Sequence, residues 1–223
     1  MRARALALGV GLLLVLGGCG GSEDEDAIPS GETAASPGET YRWSFDDVSA
    51  GGLPSDFTSL LGDWSVEEEG TAPSRPNVLR QKGAFADPEF PRLVVEGLAF
   101  TDLTVRVRCR PEAGKMDEAC GLMFRVEGSD DYYVARANAL EGNVRLYRVV
   151  DGDREEFGSA DVPVTAGEWH TLEASAAGST LTVSWDGAEV ISESDDTFPR
   201  GGIGLWSKAD SVTAFDDLEA VAQ

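Results

Sequence analysis

The stretch WHTLEASAAGSTLTVSWDG, at residues 169–187, gives the clearest indication of how this chain folds. Apolar and polar residues alternate in both halves, and Ala177, Gly178 and Ser179 stand between the halves as a turn signal. Alternation with a period of two on both sides of a glycine-containing turn is typical of an antiparallel hairpin with one face on a core. The stretch therefore predicts two paired strands that share one buried face.

The same pattern recurs along most of the chain. Runs of this kind lie at residues 41–46, 64–68, 78–81, 93–95, 103–110, 121–126, 132–138, 144–150, 155–157, 169–176, 180–185, 188–192, 203–207 and 212–220. Glycine-containing turn pairs separate many of them, and no segment shows a helical period. Many short strands at such spacing predict one all-β domain at residues 41–223, an antiparallel β-sandwich or jelly roll. Residues 70–91 hold four prolines, so we expect a loop there that forms one rim of a binding face.

Residues 1–18 are expected to be a signal peptide. Arg2 and Arg4 precede an uncharged apolar run at 5–16, and two glycines stand before Cys19. A positive start, a short apolar run and small residues are features of a secretory signal, and the run is too short to span a bilayer. A small-residue site that ends in cysteine resembles the lipobox of bacterial lipoproteins, which implies a lipid on Cys19. An ordinary signal peptide with an accidental cysteine is the alternative.

Residues 19–40 are expected to form the lipidated cysteine and a flexible acidic tether. They are rich in Gly, Ser, Glu, Asp, Pro and Ala and hold almost no large apolar residue. Such a segment cannot bury enough apolar surface to offset the entropy lost on ordering. We therefore expect an exported protein anchored in the bacterial cell envelope, by default in the outer membrane, because Gly20 and not Asp follows Cys19.

The charge of the chain limits its partners. Asp and Glu number 40 against 18 Lys and Arg, which gives a formal net charge of −22. Binding to phosphate backbones needs a cationic surface, so we expect no nucleic acid partner. Contact with the membrane is expected through the lipid on Cys19 rather than through a basic face.

Cysteine use indicates one disulfide. If Cys19 carries a lipid, Cys109 and Cys120 remain as an even pair in an oxidising compartment. Cys109 ends one alternating run and Cys120 opens the next, so in a hairpin both would face the same side near the loop. Two buried free thiols are the alternative.

Several short motifs together carry a family resemblance. In chain order they are WSFDD at 43–47, WSV at 64–66, NVLRQ at 77–81, YYVARAN at 132–138, NVRLY at 143–147, WHTL at 169–172, GIGLW at 202–206 and FDDL at 215–218. The chain resembles the concanavalin A-like lectin/glucanase superfamily, nearest to its laminin G-like and family-16-like domains, which include 3-keto-disaccharide hydrolase-like proteins. The resemblance implies two antiparallel sheets face to face, one of which presents a concave outer surface.

Alternation indicates which polar side chains reach an outer surface. The candidate ligand-binding residues are Arg106, Arg108, Arg125, Arg136, Asn138, Arg145, Tyr147 and, at the rim, Trp206. Guanidinium and amide groups bind sugar hydroxyls or carboxylates, and tyrosine rings stack on the apolar faces of sugars. We therefore expect carbohydrate binding on the concave sheet. The alternative is a solvated face whose arginines pair with neighbouring carboxylates.

Catalysis is not expected. Retaining glucanases of the resembled family carry Glu-x-Asp-x-x-Glu on one strand, where both carboxylates share a face, and no strand here has that spacing. His170 is the only histidine, which leaves a catalytic triad without support. Two alternatives stay open: a glycoside hydrolase-like enzyme acting on disaccharides, and a laminin G-like module that is structural or binds a protein partner.

The resemblance also suggests a structural calcium site where the first and last strands pair. Its ligands would be Asp46, Asp47, Asp216 and Asp217, since hard oxygen ligands suit Ca²⁺. The alternative is an edge strand with exposed acidic residues.

Overall fold

Alternating sequence produces strands throughout the computed structural model, which describes residues 32–223. All 17 elements of the described range are strands. No helix in that range is long and apolar enough to cross a membrane. The predicted signal peptide, the lipidated Cys19 and the tether as far as residue 31 lie outside the described residues and stay predictions.

The strands have the following bounds: β1 Thr33–Ala34, β2 Thr40–Trp43, β3 Phe57–Leu61, β4 Trp64–Glu68, β5 Asn77–Gln81, β6 Arg92–Val95, β7 Leu98–Ala99, β8 Leu103–Ala113, β9 Ala119–Gly128, β10 Asp131–Asn138, β11 Asn143–Val150, β12 Asp153–Asp161, β13 His170–Ala177, β14 Thr180–Trp185, β15 Ala188–Ser194, β16 Gly202–Trp206 and β17 Val212–Ala222. The stretch at 169–187 forms β13 and β14, which pair antiparallel from Leu172–Trp185 to Ala177–Thr180. The predicted hairpin is confirmed.

Two antiparallel sheets make up the sandwich. The seven-stranded sheet has the order β12-β11-β10-β9-β16-β6-β3. The eight-stranded sheet has the order β15-β14-β13-β8-β17-β5-β4, with β2 also paired to β17. Strands β1 and β7 form a separate short parallel pair. Because β1 and the first residue of β2 lie within residues 32–40, the expectation of a flexible tether is wrong for this part of the predicted segment. The predicted all-β antiparallel sandwich is confirmed.

The core lies between the two sheets. On β8, Leu103, Val105 and Val107 are buried, as are Leu122 and Phe124 on β9 of the other sheet, and all five belong to one apolar cluster. Because side chains alternate along a strand, the polar residues between them point to the outer faces. Burying each large apolar side chain stabilises the fold by about 1.5–3 kcal/mol. The inner faces therefore hold the sheets together and leave the outer faces free for function.

A disulfide joins the two sheets. Cys109 and Cys120 are bonded with their Cα atoms 6.4 Å apart. Cys109 lies on β8 of the eight-stranded sheet and Cys120 on β9 of the seven-stranded sheet, so β8 and β9 do not form the hairpin that the sequence suggested. The bond crosses the core instead, and closing a loop of this length stabilises a fold by about 3 kcal/mol in the loop-entropy model.

Candidate functional site

The structure divides the predicted ligand-binding residues among three places. Five of them share the outer face of the seven-stranded sheet: Arg136, Asn138, Arg145, Tyr147 and Trp206. Two lie on the outer face of the eight-stranded sheet, on β8: Arg106 and Arg108. The eighth, Arg125, is buried. The expectation that all of them line one concave sheet is therefore wrong.

One row of residues crosses four strands of the seven-stranded sheet. Trp206 on β16 is paired with Gly121 on β9, which is paired with Arg136 on β10, which is paired with Arg145 on β11. A Cβ atom at Gly121 would lie 3.0 Å from the Trp206 ring. The missing side chain lets the indole lie close against the sheet, and the row places two guanidinium groups beside it.

Aromatic rings and a guanidinium group cover this row. The Phe90 ring stacks on Trp206 at a centroid distance of 5.2 Å. The Arg154 guanidinium carbon lies 4.7 Å from the Phe90 centroid, 4.4 Å from Tyr147 and 5.9 Å from Trp206. Contacts of a cation with ring faces at these distances are attractive. We call the surface made by Phe90, Arg136, Tyr147, Arg154 and Trp206 the arginine–aromatic face.

Trp206 does not occupy the position that the sequence predicted. Its side chain is fully buried beneath Phe90 and Arg154, so the prediction that it lines the rim is wrong. Phe90 comes from the loop before β6, within the proline-containing segment that was expected to form a rim. Trp206 therefore supports the arginine–aromatic face from below, and Phe90 and Arg154 form its outer layer.

Beside the rings lies a polar network of five residues: Asp117, Arg136, Asn138, Glu141 and Lys208. Arg136 Nη2 donates to Glu141 Oε2 at 3.1 Å. Asn138 Nδ2 donates to Asp117 Oδ1 at 2.7 Å, and Lys208 Nζ pairs with Asp117 Oδ2 at 3.0 Å. The side chains of Arg136 and Asp117 are only 2% and 1% exposed. Buried charges that are paired in this way hold one another in fixed positions.

The two carboxylates of this network have opposite pKa shifts. Burial raises the pKa of Asp117 above its usual value, although the Lys208 ammonium group opposes that shift. The hydrogen bond from Arg136 lowers the pKa of Glu141 to about 2. The two carboxylates of this network therefore release their protons over different pH ranges.

Sequence reasoning missed much of this face. Phe90, Asp117 and Lys208 lie outside the strands, and Glu141 lies in the turn between β10 and β11. Periodicity carries no information about loop residues, so only the proline-rich composition of 70–91 gave a signal. Arg154 lies on β12, the edge strand of the seven-stranded sheet. The sequence pattern of an edge strand does not distinguish an arginine that packs on aromatic rings from one that points into solvent.

Arg125 has a structural role, which corrects its prediction as a ligand-binding residue. Its backbone has a φ of 46° and lies where the pairing of β9 with β16 shifts register. The guanidinium donates to the carbonyl oxygens of Thr101 and Phe198 at 2.9 and 3.1 Å and pairs with Asp102 at 3.3 Å. A bulge changes which face a side chain takes, so simple alternation fails here.

The four predicted calcium ligands lie near the pairing of β2 with β17. Asp216 is buried, and both of its carboxylate oxygens accept hydrogen bonds from Ser74 at 2.8 Å. Burial raises the pKa of Asp216 to about 6. Asp46 accepts from the Asn77 backbone, while Asp47 and Asp217 are exposed. No group of three or more His, Cys, Asp or Glu side chains within residues 32–223 is arranged to hold a metal ion, and calcium stays a prediction.

Comparisons with known proteins agree with the architecture. No protein-family model matches the sequence, and no curated protein sequence matches it either. The structure is similar to carbohydrate binding module CBM66 from Bacillus subtilis, with a TM-score of 0.64 and 18% identity over 75% of this chain and 96% of that one. It is also similar to a Bacillus subtilis protein of unknown function with a galectin-like fold, with a TM-score of 0.55 and 12% identity over 82% of this chain and 100% of that one.

A third similar structure is the apo form of the Crh5 transglycosylase. Its TM-score is 0.59 at 14% identity, and the match covers 88% of each chain. At such identities the likeness shows a shared fold and nothing finer. The chain therefore has the β-sandwich fold of these proteins.

Proposed function

We propose that this protein binds carbohydrate through the arginine–aromatic face of the seven-stranded sheet. The observation that carries the proposal is the position of Arg154, whose guanidinium group lies against the buried rings of Tyr147 and Trp206 and the partly exposed ring of Phe90. Its Nη1 atom is buried and has no hydrogen-bond partner within residues 32–223. Two proteins of similar fold are described as a carbohydrate binding module and a transglycosylase, which supports a sugar as the ligand.

The exposed layer of the face has the groups that a sugar needs. The Phe90 ring offers an apolar surface for the C–H face of a pyranose or furanose. Arg145, Arg154 and Lys208 offer N–H donors for hydroxyl oxygens, and the partly exposed Glu141 accepts from hydroxyl groups. A few fixed polar groups around an apolar surface are the usual composition of a small-molecule site.

The buried layer keeps those groups in place. Arg136 bonds to Glu141 and to Asn143 Oδ1, each at 3.1 Å, and so fixes the turn that carries Glu141. Asn138 Oδ1 accepts the backbone N–H groups of Leu140 and Glu141 in the same turn. A site whose polar groups are already ordered loses less entropy on binding. Arg136 and Asn138 thus act as positioning residues in the proposal.

A lipid on Cys19 and the acidic tether would display this face at the cell envelope. The sandwich would then act as a non-catalytic glycan-binding module, exported and anchored by its N-terminus. Structural calcium at Asp46, Asp47, Asp216 and Asp217 is part of the same proposal and is tested with it.

The test is a glycan-array screen of the purified protein, in calcium and again in chelator. We expect binding that Arg154→Gln lowers at least tenfold and that Lys82→Gln leaves unchanged. Lys82 is 44% exposed and follows β5 of the other sheet, so it controls for the loss of one positive charge. Loss of binding in chelator would add the calcium site. Binding to no glycan, with a protein partner recovered by cross-linking instead, would replace this proposal with the laminin G-like alternative.

A second candidate function, glycoside hydrolysis, rests on Asp117 and Glu141. Both carboxylates accept from the same nitrogen, Asn138 Nδ2, at 2.7 and 3.3 Å. Retaining glycosidases hold two carboxyl groups about 5–5.5 Å apart, with the pKa of the acid raised. In this function Glu141, which is 37% exposed, would attack the anomeric carbon, and Asp117, which is 1% exposed, would protonate the leaving oxygen only after Lys208 has moved away from it.

Incubation with every glycan that binds, followed by assay of new reducing ends, separates the two functions. Hydrolysis predicts release of sugar that Asp117→Asn abolishes while the glycan still binds. Binding without any release assigns the face to recognition alone.

A further inference from the structure

A groove opens on the eight-stranded sheet, where β17 changes its neighbour. On one side β17 pairs with β5 as far as Phe215 and with β2 from Leu218 onwards. On its other side the pairing with β8 shifts register between Asp216 and Glu219. Asp217, between these points, has a φ of 47°, which is unusual for a residue other than glycine. The interruption leaves a groove of about 410 Å³.

Three arginines line this groove, and we call it the arginine groove after Arg42, Arg106 and Arg108. Asp217 and Glu219 are the acidic residues of its lining. Arg42 Nε lies 2.6 Å from Glu219 Oε2, and Arg106 Nη2 lies 2.7 Å from Glu219 Oε1. The side chains of Arg42 and Arg106 are 68% and 50% exposed, so these pairs are open to solvent and to exchange.

Arg108 differs from the other two arginines because it pairs with no carboxylate of residues 32–223. Its Nε atom is buried and has no hydrogen-bond partner in that range. The residue opposite on β17 is Asp216, whose carboxylate accepts from Ser74 and from the Asp217 backbone. A buried guanidinium donor needs an acceptor, and Arg binds carboxylates through two parallel hydrogen bonds.

We propose that the arginine groove is a second ligand site, which binds the carboxylate group of a small acidic molecule. Arg108 makes the principal contact, and Arg106 contributes a second guanidinium group. The volume suits a ligand of one or two sugar rings or a simple dicarboxylate. This site lies on the other sheet from the arginine–aromatic face and does not depend on the function proposed there.

Glu219 competes with the ligand in this arrangement. Its carboxylate occupies Arg42 and Arg106 on the side of the groove and lowers the local positive charge. A ligand carboxylate can bind these two guanidinium groups only when they separate from Glu219. Removing the charge of Glu219 must therefore tighten binding, while removing that of Arg108 must weaken it. A site that was only structural would show no such opposite response.

The experiment is calorimetric titration of the purified protein with glucuronate, glucose and succinate at equal ionic strength. We expect glucuronate to bind and glucose not to bind. The two sugars differ only at C6, which is a carboxylate in glucuronate and a hydroxymethyl group in glucose. Arg108→Gln should weaken glucuronate binding at least tenfold, and Glu219→Gln should strengthen it threefold or more. Lys115→Gln should leave glucuronate binding unchanged. In NMR spectra the Arg108 Nε–H signal should shift on titration.

The control ligands and variants decide the outcome. Succinate binding at the same site would show that the carboxylate alone suffices, and binding of glucuronate only would show that the sugar contributes; both support the site. Glucose binding as tightly as glucuronate, or equal loss in Arg108→Gln and Lys115→Gln, would overturn it. If Arg108→Gln does not fold, Glu219→Gln still decides, since unchanged or weaker glucuronate binding rejects the proposal. Glycan binding lost only in Arg154→Gln concerns the other face, so the two proposals fail separately.

Discussion

The two outer faces of the sandwich use arginine in opposite ways. In the arginine–aromatic face, Arg136 is 2% exposed and lies within an ordered network of carboxylates and amides. In the arginine groove, Arg42 and Arg106 are 68% and 50% exposed and share one carboxylate at the surface. The difference arises from what covers each sheet: Phe90 and Arg154 lie over the first face, whereas the groove opens where β17 loses one neighbour.

This difference distinguishes arginines that hold other side chains in place from arginines that are available to bind a ligand. A buried charge with fixed partners is costly to disturb, so it serves to hold other groups in place. An exposed ion pair contributes little to stability, so its members can exchange one partner for another. Residues of one type, found by one sequence pattern, therefore fill two different roles.

We expect Arg136→Ala to destabilise the protein most strongly. The change leaves a cavity where the buried side chain was, takes the donor from Asn143 Oδ1 and leaves Arg145 as the guanidinium partner of Glu141, so we expect the free energy of unfolding to fall by about 2–5 kcal/mol. Urea unfolding followed by circular dichroism measures this loss. Arg145→Ala, a more exposed change on the same face, should cost less than about 1 kcal/mol. Equal losses for both variants would remove the distinction between the buried and exposed layers.

The sequence could predict which side chains leave the core but not which sheet they belong to. Alternation correctly put Arg136 and Asn138 on one face of β10, and Arg106 and Arg108 on one face of β8. Assigning these strands to one sheet or two depends on long-range pairing, and no local pattern records it. The same limit produced the hairpin expected between Cys109 and Cys120, whose strands belong to different sheets.

Bulges and loops account for the remaining errors. At Arg125 a register shift moves the side chain into the protein, where backbone carbonyls bind its guanidinium. Phe90 and Lys208 reach the arginine–aromatic face from loops, where periodicity has no meaning. The sequence therefore predicted the central strand residues of the face, such as Arg136 and Tyr147, and missed Phe90 and Arg154, which cover them.

A pH titration of stability gives the second largest effect and contrasts the two faces. The pKa of Asp216, which stands opposite Arg108 on β17, is raised by burial to about 6 in the folded protein. As the pH rises, Asp216 loses its proton in the unfolded chain before it does so in the folded protein. The contribution of protonated Asp216 to the free energy of unfolding is therefore complete below the usual pKa of an Asp side chain and is lost as the pH rises through 6. A shift of this size corresponds to about 3 kcal/mol. Asp216→Asn should flatten the curve over that range.

Glu141 on the arginine–aromatic face should act with the opposite sign. Its folded pKa of about 2 lies below the usual value, so its stabilisation is present above pH 4.5 and is lost as the pH falls towards 2. Urea unfolding at a series of pH values should show Asp216→Asn changing only the upper range and Glu141→Gln only the lower. One variant altering both ranges would show that the two faces are coupled.

Phe90→Ala should have a smaller effect and expose the buried layer. Removing the ring takes away its stacking on Trp206, worth about 0.5–1.5 kcal/mol beyond the area buried. Acrylamide should then quench tryptophan fluorescence more strongly, because Trp206 loses its cover. Leu140→Ala removes a comparable apolar side chain that is 52% exposed and should change neither quantity. Unchanged quenching in Phe90→Ala would mean that Phe90 does not shield Trp206.

The smallest effect is expected in the arginine groove, at the pair between Arg106 and Glu219. The Arg106 side chain is half exposed, and Arg42 still neutralises Glu219 when Arg106 is removed. A double-mutant cycle between Arg106→Gln and Glu219→Gln should therefore give a coupling free energy of about 0.2–1 kcal/mol, which falls further in 1 M salt. The matching cycle between Arg136→Gln and Glu141→Gln should give a larger coupling that salt changes less, because Arg136 is buried. A strong, salt-independent coupling in the groove would show that Glu219 holds its arginines permanently, and a ligand carboxylate could not then replace it.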